Sequence, residues 1–118
     1  MLQLLKPEFE HEDSRRTLRQ LITTDLKQVN VYQVNKGAIL GEHYHKVTHE
    51  YFYITKGSFL VAIRKIYSKE VTSRIVGKQG FFVILPEIIH TLEALTNGEF
   101  MTFLTEPYSK YKLDTFRE

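Results

Sequence analysis

Gly37-Ala-Ile-Leu-Gly41-Glu-His43-Tyr-His45-Lys-Val-Thr-His-Glu50-Tyr-Phe-Tyr-Ile-Thr-Lys-Gly57 is the stretch that makes the rest of the chain readable. His43 and His45 are two residues apart, and on a strand positions i and i+2 point to the same face. Tyr44 then points to the other. The connection 46–49 reads as a hairpin that brings Glu50, the first residue of an aromatic strand, beside the two imidazoles. His90 follows 40 residues later, just after the apolar run 81–85 and Pro86, and offers a fourth donor from a distant strand. Two neighbouring histidines alone also fit a metal-free surface or core pair. Three imidazoles and one carboxylate, however, leave open positions on an ion that prefers five or six ligands. That donor set suits Fe, Mn, Ni, Co or Zn as one divalent transition-metal ion, and not the oxygen-seeking Ca or Mg. His43, His45, Glu50 and His90 are therefore the candidate metal ligands.

Outward from this stretch, glycine and proline cut the chain into short runs rich in β-branched and aromatic residues. Strands are expected over 28–35, 42–45, 50–55, 58–67, 71–76, 81–85, 90–95 and 99–105. The Asn97-Gly98 pair reads as a hairpin turn. Residues 14–26 carry apolar positions at 18, 21, 22 and 26 that would suit a helix, but Leu18-x-x-Leu21-Ile-Thr-Thr is β-rich and favours an N-terminal strand. The series reads as an all-β jelly-roll β-barrel. With Glu50 facing the lumen, Phe52 and Ile54 face it too, joined by Phe59, Val61 and Ile63. Tyr51, Tyr53, Leu60 and Ala62 then form an apolar outer face, to be covered by a second subunit or by the termini. His49 reads as a solvated loop residue and Glu87 as a rim or turn residue. The tail from 107 to 118, with Tyr108, Tyr111 and Phe116, reads as an arm or short helix against the barrel.

Composition bounds the function classes. The 118 residues suffice for one domain and not two, and 42% of them are hydrophobic. Sixteen Lys and Arg against 14 Asp and Glu give a net charge of +2, too little to argue for nucleic acid or an acidic membrane. No cysteine is present, which excludes disulfides, thiolate metal sites and a Cys nucleophile. Residues 1–7 lack the basic segment and cleavage site of a signal peptide, and no apolar run approaches the roughly 20 residues of a bilayer span. The expected localisation is cytoplasmic.

Gly37-x5-His43-x-His45-x4-Glu50-x6-Gly57 matches the first cupin motif at each defined position, and Gly80-x5-Pro86 followed by His90 resembles the second. The chain thus resembles the cupin superfamily over about 28–105, as a single cupin domain spanning 1–118 with an N-terminal strand or arm over 1–27 and a tail over 106–118. The second motif is usually Pro-x-Gly-x-x-His. Here it is Pro86-Glu87-Ile88-Ile89-His90, one residue shorter and without the glycine, which would displace His90 slightly. A finer resemblance is to cupins of nucleotide-sugar metabolism, among them the C-terminal cupin of the capsule-assembling reductase. It is carried by Asp13-Ser-Arg15-Arg-Thr17-Leu18, by Gly41-Glu42-His43-Tyr44-His45 and by Asp114-Thr115-Phe116. Leu40 stands where those cupins carry arginine, and Arg16 where they carry glycine.

The resemblance implies a metal-dependent enzyme acting on a small molecule, an oxygenase, an isomerase or a sugar-nucleotide enzyme; the apolar outer face that needs covering points to a homodimer. The alternative is a non-catalytic small-molecule-binding or sensor cupin whose metal orients a ligand or staples the fold. Four ligands do not choose a substrate, because the lining of the pocket does.

Overall fold

The computed structural model describes residues 2–107 and 114–118. Among these residues, ten strands run in chain order: β1 (Phe9–Glu12), β2 (Thr17–Gln20), β3 (Gln28–Val34), β4 (Ile39–His43), β5 (Glu50–Lys56), β6 (Phe59–Lys65), β7 (Thr72–Val76), β8 (Phe81–Ile84), β9 (Ile88–Ala94) and β10 (Gly98–Leu104). β1 and β2 pair as a separate hairpin. The others form two four-stranded antiparallel sheets, ordered β3-β10-β5-β8 and β4-β9-β6-β7. This is the expected all-β jelly roll. Among the described residues, no helix is long and apolar enough to cross a membrane.

The inner faces follow the period of two. Phe52 and Ile54 on β5, Phe59 and Val61 on β6, Phe82 and Ile84 on β8, Leu92 and Ala94 on β9 and Phe100 on β10 are all buried in one cluster. Burying such a side chain contributes about 1.5–3 kcal/mol. The aromatics interlock: Phe52 stacks on Phe82 at 4.9 Å with 6° between planes, and Phe59 meets Phe100 edge-on at 5.3 Å. This packed end leaves the β3 and β4 side of the space between the sheets open, and the candidate ligands lie there.

The N-terminal strand favoured within 14–26 forms as β2 at 17–20, and it pairs with β1, a strand the sequence did not reveal. Several other expectations change. The strand expected at 42–45 is β4, which starts at Ile39 and ends at His43, so His45 lies beyond it. The connection 46–49 is not a hairpin, because β4 and β5 belong to different sheets. Asn97-Gly98 likewise links β9 to β10 across the sheets instead of closing a pair. The same division splits the expected outer face: Tyr51 and Tyr53 lie on one sheet, Leu60 and Ala62 on the other, and all four are half-buried. Leu2 is buried within the core cluster, and Leu5 donates its N–H to the Phe81 carbonyl at 2.7 Å, so the N-terminal segment belongs to the barrel's packing. Tyr108 and Tyr111 lie outside the described residues; the tail resumes at Asp114.

The motif glycine at 57 has a steric reason. Its φ is +76°, and a Cβ there would sit 2.5 Å from Thr96 Oγ1 and 2.6 Å from the Asn97 carbonyl. Gly37 has φ +90° but open space around it. Gly57→Ala should therefore cost more than Gly37→Ala: about 2–3 kcal/mol against about 1 kcal/mol for backbone strain alone. Urea unfolding of the two variants measures the difference, and equal losses would show that crowding at Gly57 is relieved.

Candidate metal centre

The site begins with a bulge. Gly41 (φ +103°) and Glu42 (φ +63°) interrupt the β4–β9 register between Gly41 and His43. Such a bulge re-aims the side chain that follows it. A Cβ on Gly41 would lie 2.5 Å from the His90 carbonyl, so glycine lets β4 close onto β9 at that residue. Beyond the bulge, His43 lies opposite His90, with their rings 4.6 Å apart and nearly perpendicular. His45 follows the end of β4, and its carbonyl accepts the Glu87 N–H at 2.6 Å. Glu50 enters from the start of β5 in the other sheet, with Oε1 3.2 Å from His45 Nε2 and 3.6 Å from His90 Nε2.

One donor atom from each of His43, His45, Glu50 and His90 lies within 4.8 Å of the others. His45, Glu50 and His90 are buried, and His43 is half-buried. The shortened second motif does not carry His90 out of reach. Glu87 sits at φ +66°, the left-handed conformation a glycine would supply, and so turns the chain after Pro86 in a single residue.

Burial works against every charge here, and specific contacts decide which charges survive. Burial and the neighbouring His90 and His45 push the His43 imidazole down to about 4. Burial lowers His45 too, but its hydrogen bonds to Glu50 and to the Asp114 carbonyl outweigh that and raise it. Burial would raise the Glu50 carboxyl, yet hydrogen bonds from His45 and His90 hold it at about 2. The cluster thus offers a permanent carboxylate and a neutral His43 near neutral pH.

The four residues form part of the wall of a cavity of about 510 Å³. Leu40, Phe52, Leu92, Phe100 and Leu104 supply apolar lining, and β3 supplies Gln28, Asn30 and Tyr32. Sequence reasoning did not single out this polar wall. The alternating valines marked the strand, but Val29 and Val31 are more than half exposed, and Gln28, Asn30 and Tyr32, which alternate with them, line the cavity. Asn30 Nδ2 donates to the buried Thr102 Oγ1 at 3.2 Å, and Tyr32 stacks on Phe100 at 4.7 Å. Burial and the Glu50 charge raise the Tyr32 phenol, so it stays a proton donor. Leu40, at the position held by arginine in the resembled cupins, makes this part of the wall apolar. Tyr44 packs on Phe116, on the other side of the chain from the cluster. His49 is half-buried, not solvated as expected: its N–H donates to Thr105 Oγ1, and it is not part of the cavity wall. Glu87 is an exposed turn residue.

A family model described as "Polysaccharide biosynthesis C-terminal domain" matches residues 11–116. No curated protein matches the chain in sequence. Among solved structures, the capsular polysaccharide assembling protein CapF from Staphylococcus aureus superposes with a TM-score of 0.73 at 23% identity, over 92% of this chain and 33% of that one. The chain therefore spans about a third of CapF's length. QdtA, a sugar 3,4-ketoisomerase from Thermoanaerobacterium thermosaccharolyticum in complex with TDP, superposes with a TM-score of 0.82 at 20% identity, over 99% of this chain and 88% of that one. The RmlC epimerase of Mycobacterium tuberculosis gives 0.73 at 19% identity, over 91% and 64% of the two chains. These likenesses are of fold, and the fold is that of the RmlC-like cupins.

Proposed function

The chain belongs to the polysaccharide biosynthesis C-terminal domain family, and we propose that it is a metal-holding cupin that acts on the keto-sugar portion of a sugar nucleotide. The observation that carries this reading is the buried set of three imidazoles and one carboxylate, with donors within 4.8 Å, on the wall of a cavity large enough for a small molecule. The donor set fits one divalent transition-metal ion, held by His43, His45, Glu50 and His90. Such an ion supplies a Lewis acid for a carbonyl oxygen. The chain's own residues do the rest. Leu40, Leu92 and Leu104 exclude water, Asn30 offers its amide to sugar hydroxyls, and Tyr32 presents a protonated phenol. That QdtA was solved with TDP and with TDP-4-keto-6-deoxyglucose supports the ligand class.

The test has two arms. Elemental analysis of untagged protein should find about one transition-metal ion per chain. Incubation with a nucleotide-linked 4-keto-6-deoxyhexose in D₂O, followed by proton NMR, should show deuterium entering the carbon next to the ketone. Exchange without metal would favour a second reading, in which the His45–Glu50 hydrogen bond and the neighbouring His90 transfer protons directly. Binding without exchange would leave a ligand-binding module and end the enzyme reading.

The working unit is proposed to be a homodimer. The β1–β2 hairpin stands apart with Phe9 and Leu18 exposed, and an isolated two-stranded hairpin is marginal in water. On the outer face of the β3-β10-β5-β8 sheet, Val29 and Val31 are exposed beside Phe103 and Met101, and those in turn lie beside Tyr51 and Tyr53. Light scattering coupled to size exclusion should give about twice the 13.9 kDa chain mass. A monomer at micromolar concentration would overturn this.

A further inference from the structure

The segment 114–118 runs along the ligand-bearing strand and is tied down at four of its five residues. Phe116 forms a two-way backbone bridge with Tyr44, both bonds at 2.9 Å, and Lys46 Nζ sits 4.2 Å over its ring. Arg117 Nη1 donates to the Glu42 carbonyl at 3.3 Å. Glu118 accepts from Arg64 Nη1 at 2.6 Å and from the Tyr67 N–H at 2.8 Å. The densest knot is Asp114. Its carboxylate accepts the N–H groups of Lys46, Val47 and Thr48 at 2.8, 3.1 and 2.8 Å, and the Thr48 hydroxyl at 2.7 Å. Its main-chain carbonyl lies 2.5 Å from His45 Nδ1.

A carbonyl only accepts, so His45 Nδ1 must carry the hydrogen in that contact. The imidazolium donates from both nitrogens, Nδ1 to Asp114 and Nε2 to Glu50; on losing one proton the ring keeps the one in the shorter contact, 2.5 Å against 3.2 Å, so Nε2 then holds the lone pair on the side of the cluster. The ring and the carbonyl of His45 are thus both fixed by residues distant in sequence: the ring by Asp114, the carbonyl by Glu87. Because β4 ends at His43, these contacts replace the ladder that would otherwise orient His45.

We propose that Asp114 is a positioning residue for His45: its carboxylate pins the 46–48 turn, which sets its carbonyl on Nδ1 and aims Nε2 into the cluster. The placement rests on geometry. What it is for, ligation by Nε2, rests on the metal reading above. Outer-shell partners of this kind typically govern 10- to 100-fold in metal affinity.

The test reads the tautomer in metal-free protein, where the metal reading has no influence. Long-range nitrogen–proton NMR of histidine-labelled full chain at alkaline pH should show His45 with its proton on Nδ1. Glu118→Gln, at the far end of the segment, should keep that signature. Asp114→Ala should lose it and bind metal about 10- to 100-fold more weakly. Asp114→Asn retains one side-chain oxygen acceptor and should fall between, and it carries the test if the alanine variant does not fold. A wild-type His45 protonated on Nε2, or an unchanged His45 signal in a folded Asp114→Ala or Asp114→Asn protein, would overturn the proposal. If the tautomer is as stated but wild-type protein takes up no metal, the metal reading fails and the positioning role stands.

Discussion

Glu50→Ala is expected to abolish retention of the proposed metal and to destabilise the metal-free protein by roughly 2 kcal/mol at pH 6. Glu50 is 7% exposed, and its Oε1 contacts both His45 and His90. His45 is raised above its ordinary 6.5, so at pH 6 the metal-free site holds an imidazolium against a carboxylate. Removing one partner of a buried ion pair costs up to about 3–5 kcal/mol when the other charge is stranded. Here the stranded imidazolium can shed its proton at little cost, because pH 6 lies close to its ordinary value. The loss is then that of a charge-assisted hydrogen bond, about 1.5–3 kcal/mol. Glu50→Gln keeps the shape and one acceptor, so it should lose the metal with a smaller loss of stability. Elemental analysis and urea unfolding in the presence of a chelator measure the two effects. Wild-type stability in metal-free Glu50→Ala would show that the pair contributes nothing to the fold.

The parts of this site that were legible share one property: they depend on local spacing. His43-x-His45 and the distance to Glu50 are set by a bulge and a short crossing within a dozen residues, and glycines at 37 and 57 mark its ends. The inward parity of Phe52, Ile54, Phe59 and Val61 followed from the period of two alone. Which sheet a strand joins does not follow from that period. Asn97-Gly98 and the 46–49 connection therefore looked like hairpins, although each crosses between sheets. Leu18 and Leu21 could mark a strand, but nothing local reveals that β2 pairs with β1 instead of joining the barrel. The polar wall of β3 was visible as an alternation whose facing was undetermined. Asp114 was noticed only as part of a resembling tripeptide, since its partners lie 66 to 69 residues away. His90 looked doubtful because a glycine was missing, and only the backbone shows Glu87 taking the glycine's conformation.

Acidification should release the proposed metal in two stages, and the signs follow from the individual groups. A proton competes with the metal wherever a ligand's lone pair is basic. His45, raised by Glu50 and the Asp114 carbonyl, is already taking protons above 6.5, so affinity should fall by at least about tenfold per pH unit below that point. His43 resists, because burial and its imidazole neighbours hold it to about 4; below that value its proton should add about another tenfold per unit. Glu50, at about 2, remains a carboxylate throughout and does not contribute to release. The metal-free fold responds differently. The raised His45 stabilises the fold below 6.5, and that contribution disappears as pH rises through its folded value. The lowered Glu50 stabilises above 4.5 and is lost as pH falls toward 2. The lowered His43 opposes folding increasingly as pH falls from 6.5 to 4, where the unfolded chain gains a proton that the folded chain refuses, and in full below that. Competition with a chelator across a pH series gives the release slope, and urea unfolding of metal-free protein gives the stability profile. A pH-independent affinity from 7 to 5 would mean that His45 Nε2 is not a ligand, which would leave His43, His90 and Glu50 as the only donors and an ion far more open to solvent.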